Sequence, residues 1–406
     1  MSERTVEKSW ALYDRACEVI PMATQTHSKM PHEALRGVEP CFLVKGKGCR
    51  VWDVDGNEYI DFRNGLGPIS LGYCYPEVDA AIHKQLESGI IFSYAHPLEE
   101  QVARRLVGIL PCAEKVRFLK TGGEAMAATH RLARGFTRRD LIVTCGYHGW
   151  VNTVTMKGTP ESIRSAYRQV PWGDLEGIQK LFSQDGPNIA AVSVACGYAD
   201  IEKGHEFLPG LRELVDSYGA LLIFDEIVTG FRLARGGAQE YFGVTPDLAV
   251  FAKGISNGVP LSCYCGRADV MEAVREVVIS STFGGDTLGL AAANAVLNVY
   301  EHNDVIGTMW ARGKQLHAGF QAICTELNVP ARFQGLPPVG QLTFSHKDAS
   351  KNGALFTQFN GELLKRGVII YTVCYPNFSH SEADIDETLA AIKASLLVMK
   401  KGGAFD

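Results

Sequence analysis

An α/β fold, with a mostly parallel sheet in a large domain and a smaller α+β domain beside it, is what three features of this 406-residue sequence predict. Short apolar runs alternate with helix-patterned segments through the middle of the chain. Those runs are apolar throughout rather than alternating, as strands buried on both faces are. After about Ala291 the rhythm changes to long helices and a few strands.

In chain order, Met1–Ile20 mixes Arg4, Lys8, Asp14 and Arg15 with apolar residues, which predicts a surface helix rather than a signal peptide. Cys49–Phe62 alternates apolar and polar residues around Asp55-Gly56-Asn57, a hairpin pattern. Val78–Ser88 and Leu98–Leu110 carry helical spacing. Strands are expected at Lys115–Leu119, Leu141–Thr144, Ala190–Ala195, Leu221–Phe224 and Leu248–Ala252, with helices at Ala125–Phe136, Leu175–Phe182 and Leu208–Tyr218 between them. A long helix from Ala291, strands near Gln341–Ser345 and Val368–Tyr371, and a last helix over Glu382–Met399 complete the reading. The expected division is residues 1–65 contributing to the smaller domain, 66–300 forming the large domain, and 301–406 returning to the smaller one.

Composition narrows the function. The net charge is −5 with no run of Lys or Arg, so neither a nucleic-acid footprint nor an anionic membrane surface is expected as partner. No apolar stretch approaches the roughly 20 residues that span a bilayer. Eleven cysteines are scattered without a C-x-x-C pair, which argues against a zinc or redox dithiol site and for a reducing cytoplasm. No metal site is expected.

In a largely parallel sheet, ligands sit at the carboxyl ends of the strands. Leu221–Phe224 runs directly into Asp225, and Leu248–Ala252 into Lys253. A carboxylate at a buried strand end is costly without a partner, and half of such residues are caps or structural ion pairs as a rough prior. A lysine there is rarer, and desolvation turns it towards nucleophilic use. Together they match the needs of pyridoxal 5′-phosphate (PLP): a lysine for the imine and an acid for the pyridine nitrogen. Such a cofactor also needs a phosphate site. Thr121-Gly122-Gly123 follows a strand and opens a helix, where backbone N–H groups and the helix N-terminus favour an anion. On its own that is more often a tight strand-to-helix turn. Tyr147, in Tyr147-His148-Gly149-Trp150 after another strand, is placed to stack on a ring, although a turn tyrosine is the ordinary alternative.

With these residues in place, the chain resembles the class III aminotransferases, and most closely their glutamate-1-semialdehyde aminomutase branch. The resemblance runs through Val51–Phe62, Gly122–Arg134, Tyr147-His148-Gly149, Ala220–Arg232, Pro246–Gly258, Thr282–Ala293 and Ser379–Leu389. It implies PLP fold type I, Lys253 as the Schiff-base lysine and Asp225 as partner of the pyridinium. It further implies Ile227 behind the ring, Tyr147 stacked on it, and Gly122 with Gly123 at the phosphate. Thr282, in Ser281-Thr282-Phe283-Gly284-Gly285, matches a threonine that reaches the neighbouring subunit's phosphate, so a homodimer is implied. An amino donor and a carbonyl acceptor would be the small-molecule partners.

The departures bear on substrate. Thr121 keeps the hydroxyl before the phosphate glycine, but Gly123 replaces a common Thr. Ala195-Cys196 stands where the family has Glu-Pro, and Asp200 where an Asn is expected. Lys29 falls at the aminomutase's substrate-carboxylate arginine and cannot make its bidentate fork. The stretch from Trp150 to Asp225 is shorter than in the aminomutases. Transamination in biosynthesis is therefore the expected activity, with aminomutation as the alternative. Two rivals fare worse. A dehydrogenase lacks any G-x-G-x-x-G, and a serine hydrolase needs the Gly254-Ile255-Ser256-Asn257-Gly258 elbow to enter a helix, whereas Leu261–Gly266 reads as extended. A PLP fold that has lost catalysis would not be expected to keep both Lys253 and Asp225.

Overall fold

The computed structural model describes residues 4–155 and 157–406, so the first three residues of the expected N-terminal helix lie outside the described part; the helix itself runs Glu7–Cys17. The chain divides into two compact units, one of residues 1–66, 71–75 and 307–406, the other of 67–70 and 76–306.

The first unit opens with strands β1 (Leu43–Lys47), β2 (Arg50–Asp53) and β3 (Glu58–Asp61), paired antiparallel. The hairpin turn between β2 and β3 is held by Asp53, whose carboxylate accepts the N–H groups of Asp55 (3.0 Å) and Asn57 (2.8 Å).

The second unit contains one seven-stranded sheet. In chain order its strands are β4 (Lys115–Leu119), β5 (Leu141–Cys145), β6 (Tyr167–Gln169), β7 (Ile189–Val194), β8 (Leu221–Asp225), β9 (Leu248–Phe251) and β10 (Ser262–Gly266). Their spatial order is β4-β10-β9-β8-β7-β5-β6. Only β10 is antiparallel to its neighbours. Strands β5, β7, β8 and β9 are buried along their whole length, which is why their sequences carry no polar alternation. The helix Gly122–Thr137 packs across β7, β9 and β10. Thr121 caps it by accepting the Glu124 N–H at 3.3 Å, and Arg138 ends it in the left-handed region at φ 59°. Its buried face, Met126, Leu132 and Ala133, shares a core with Leu119, Ile223 and Val250. Cutting Leu132 back to Ala there would cost about 2–5 kcal/mol.

The chain returns to the first unit through the helix Val305–Leu327, then β11 (Ala331–Gln334), β12 (Gly340–Phe344), β13 (Val368–Ile369) and β14 (Val373–Cys374). Strand β13 pairs parallel to β3, while β11, β12 and β14 form a second antiparallel sheet. Phe62, Phe320, Phe359 and Leu396 fill the core of this unit. The last helix, Glu382–Lys401, starts at a reciprocal cap in which Ser381 and Asp384 bond each other's N–H groups.

Two expectations need correction. The helix from Ala291 is really two, Thr287–His302 and Val305–Leu327; Asn303 turns extended at φ −134°, ψ 148° between them. The expected strand Val368–Tyr371 pairs only over Val368–Ile369, because the chain then leaves for the other sheet at Val373.

Candidate active site

Five of the strands of the larger unit deliver their carboxyl ends, β4, β5, β7, β8 and β9, to one cavity of about 520 Å³. It is lined by Gly122 and Gly123 after β4, Tyr147 after β5, and Cys196 after β7. Asp225 and Ile227 come from the end of β8, and Lys253 from the end of β9. The sequence-predicted residues Lys253, Asp225, Tyr147, Ile227, Gly122 and Gly123 are thus brought together on one surface.

Lys253 occupies the left-handed region at φ 48°, a strained backbone for a side-chain-bearing residue and one that active sites often carry. Burial lowers its amine to about pH 8; Asp225 pulls the other way, and Arg232 adds a smaller push downward. A neutral, nucleophilic amine is therefore far more accessible than on a solvated lysine.

Asp225 is buried and held from both sides. One carboxylate oxygen accepts the Ile227 N–H at 3.1 Å, and the other lies 2.9 Å from His148 Nδ1. His148 Nε2 lies 3.2 Å from the Ser193 carbonyl, which can only accept, so that nitrogen carries a hydrogen. Nδ1 and the Asp225 oxygen then share one proton along their axis. Behind His148, the fully buried His130 meets it edge to face with ring centroids 6.2 Å apart. Burial keeps His130 well below its ordinary value, that is, neutral; nearby His148 and Arg134 add to this.

Neighbouring Glu226 takes no part in the cavity. It is sealed inside, accepting from the Thr229 hydroxyl and from the N–H groups of Ala238 (2.7 Å) and Gln239 (2.9 Å), and burial pushes it up to about 7. Cys196 does line the cavity, and burial, with Glu226 and Asp225 nearby, pushes its thiol well above the usual range.

Close packing surrounds the glycines. A Cβ on Gly122 would press on the Ile227 side chain, which would have to move, and one on Gly149 (φ 85°) would meet backbone, 2.7 Å from Gly123 Cα. Gly122 and Gly123 also open the helix, where N–H groups have no intrahelical acceptor. Beside them Lys120 lines the cavity, its amine bonded to Asp286 at 2.5 Å and to the Pro260 carbonyl at 2.9 Å.

The sequence model of the class-III aminotransferases matches residues 34–396. The chain belongs to that family. It is 32% identical to a 3-aminobutyryl-CoA aminotransferase of Cloacimonas acidaminovorans, over 97% of this chain and 98% of that one. It is 34% identical to a glutamate-1-semialdehyde 2,1-aminomutase of Nitratidesulfovibrio vulgaris, over 97% and 99%. Among solved structures, the FumI protein of Sphingopyxis sp. MTA144, in its PLP internal aldimine form, superposes with a TM-score of 0.91 at 28% identity, covering 98% of both chains. The fold of this class-III aminotransferase is that of the PLP-dependent transaminases, fold type I.

The remaining predicted residues lie elsewhere. Thr121 caps the helix beneath the glycines. Thr282 sits on an exposed turn and does not line the cavity of its own chain. Asp200 does not line it either; its carboxylate pairs with Lys203 at 2.7 Å. Lys29 lines a different cavity, in the smaller unit. The serine of Gly254–Gly258 is buried, bonded to the Val259 carbonyl, and leads into β10 rather than a helix, so this class-III aminotransferase has no hydrolase elbow. Sequence reasoning passed over His148, although its place beside Tyr147 after a buried strand was a usable signal. It also passed over His130, for which a lone histidine on a helix gave none.

Proposed function

We propose that this chain transfers an amino group from an amino acid donor to an aldehyde or keto acceptor, using PLP held by Lys253. The observation that carries this reading is a lysine whose amine burial lowers to about 8 on the same cavity wall as a carboxylate paired to a histidine. The cavity also fits the group: the glycine at 122 leaves Ile227 free to lie flat against a ring, and the helix N-terminus accepts an anion.

When bound, PLP supplies an aldehyde for the amine to join and a ring that accepts electrons from the substrate carbon. The protein does the rest. Lys253 would hold the aldehyde through its neutral amine and, once substrate takes that place, would act as the base that takes a proton from the donor carbon giving up its nitrogen and delivers one to the cofactor carbon receiving it. Asp225 would keep a proton on the ring nitrogen, and the bond to His148 holds the Asp225 carboxylate in place for that role. Ile227 and Tyr147, both on the cavity wall, would hold the ring between them. The N–H groups of Gly122 and Gly123 would hold the phosphate, with Thr121 fixing the helix turn that presents them. Thr282, exposed on its own chain, is assigned to the phosphate of a second copy, which makes the working unit a homodimer. All eleven cysteines are unpaired, which supports a reducing cytoplasmic setting.

The test is to mix the PLP-loaded protein with glutamate or alanine and follow its spectrum. The expected outcome is conversion of the cofactor to its amine form with release of a keto acid. If both donors leave the spectrum unchanged while glutamate-1-semialdehyde is isomerised, the chain is an aminomutase instead. Sedimentation of the loaded protein as a monomer would remove the role given to Thr282.

A further inference from the structure

The cavity of the larger unit holds one charged group to which the reading above gives no task. Among its described lining residues the cations are Lys120 and Lys253, and Lys253 is assigned to the aldehyde. Lys120 follows β4 and directly precedes the Thr121-Gly122-Gly123 turn.

Its ammonium carries three hydrogens. One goes to the Asp286 carboxylate at 2.5 Å and one to the Pro260 carbonyl at 2.9 Å, and the third has no acceptor among the described residues. Pro260 lines the cavity itself, so that bond keeps the amine at the cavity wall. The amine also lies against the first turn of the helix Thr287–His302, where a Cβ on Gly289 would come 3.3 Å from Lys120 Nζ. The N-terminal end of a helix is an unfavourable place for a cation. Asp286, which caps that helix by accepting the Leu288 N–H at 3.0 Å, offsets the cost by pairing with Lys120.

The neighbouring turn is short of donors for a phosphate. Gly123 lacks the hydroxyl that a threonine would bring, and packing does not exclude one: a Cβ there meets nothing nearer than Gly149 Cα at 3.5 Å, an ordinary contact. Negative charge lies close by as well. The Glu124 carboxylate accepts the Lys120 N–H at 3.2 Å, and Asp286 stands on the other side. A phosphate dianion entering here meets two carboxylates, while the backbone N–H groups answer it with partial charge alone. Full positive charge is needed to make its burial favourable. We propose that Lys120 is a phosphate-binding residue of this chain, its third hydrogen turned to the cofactor phosphate, supplying by charge what Gly123 lacks in hydroxyl. This rests on the PLP reading given above.

The test is to titrate the cofactor-free protein, in phosphate-free buffer, with PLP and with pyridoxal, which has no phosphate, following the near-visible band. Lys120→Met should weaken PLP roughly 10- to 100-fold, the size of one charge-assisted hydrogen bond, and leave pyridoxal unchanged. Lys120→Arg should keep part of the PLP affinity. Asp286→Asn retains an oxygen for the amine but removes a competing negative charge, so PLP should bind as well as before or more tightly. Thermal melting checks that each variant is folded, and Lys120→Gln replaces Lys120→Met if that one is not. Unchanged PLP binding in Lys120→Met, or an equal loss of PLP and pyridoxal, would overturn the proposal. So would Asp286→Asn losing PLP as Lys120→Met does, since the pair would then only anchor the helix. A wild type that takes up no PLP would overturn this proposal together with the one it rests on; PLP uptake indifferent to Lys120 would overturn this one alone.

Discussion

The cavity beside Lys253 and the smaller unit's cavity around Arg63 are similar in size, about 520 and 430 Å³, yet they hold their charges by different means. In the first, polar groups already hold one another. Asp225 has His148 and the Ile227 N–H, and Lys120 has Asp286 and a carbonyl. In the second, the Arg63 guanidinium rests on the Tyr371 ring and faces the carboxylates of Asp61 and Glu39 across the cavity without a short bond to either. A site that must stabilise charge developing during a reaction benefits from dipoles fixed beforehand, since nothing then has to reorganise. Around Arg63 the charges are balanced at longer range, and the cation offsets part of the cost of burying the two carboxylates.

The sharpest ways to break this comparison lie at the prearranged site. Lys253→Ala should lose turnover and covalent cofactor capture completely; a borohydride-reducible adduct seen by mass spectrometry on the variant would end the assignment. Asp225→Ala should keep PLP, judged by absorbance, while rapid mixing shows the half-reaction slowed roughly 10³-fold, on the scale of other preorganised electrostatic groups. Near-native rates would mean the Asp225–His148 pair is structural only. His148→Leu removes one hydrogen bond to a charged group, about 1.5–3 kcal/mol, so the same measurement should read roughly 10- to 100-fold.

A pH series gives a smaller but independent handle. Burial lowers the Lys253 amine from 10.5 to about 8, so the rate of PLP uptake by the cofactor-free protein should climb as pH rises through about 8 and level above it. The proton must leave before the amine can attack; a rise centred near 10.5 would contradict the buried placement. The smallest effect belongs to the other cavity. Arg63→Leu, measured by calorimetric melting, should lower stability by about 1 kcal/mol, because the arginine's charge offsets the burial of Asp61 and Glu39 beside it. An unchanged Tm would show that the two carboxylates do not depend on Arg63.

The two regions also differ in how far the sequence discloses them. The strands that carry Asp225 and Lys253 are continuous apolar runs, so both their position and the residue at each end could be read directly. The cavity that those ends share is assembled from contiguous strand-plus-turn segments. His148 was half-visible, being next to Tyr147, but its bond to Asp225 spans 77 positions and follows only from the strand order. The Arg63 cavity draws on Lys29, Arg63, Asn360 and Ile369, four separate segments with no motif. The elements missed are those with weak local patterns. Leu43–Lys47 is mostly exposed, Tyr167–Gln169 is a three-residue edge strand, and the helix Asn352–Leu364 carries Gly353, Asn360 and Gly361.

Strand β10 runs against both β4 and β9, and its consequence is a matter of measurement. Adjacent strands lie about 4.8 Å apart, so one strand between them sets the ends of β4 and β9 at about 10 Å. The glycine turn hangs from the first of those ends and Lys253 from the second. Being reversed, β10 begins at this edge, so it is the apolar residues leading into it, Val259, Pro260 and Leu261, that line the gap. It works as a ruler. Were β4 and β9 direct neighbours, turn and amine would stand about 5 Å apart, too close for an aromatic ring with a phosphate arm. The strand that lends the cavity only apolar wall thereby sets the span between its glycine turn and its amine.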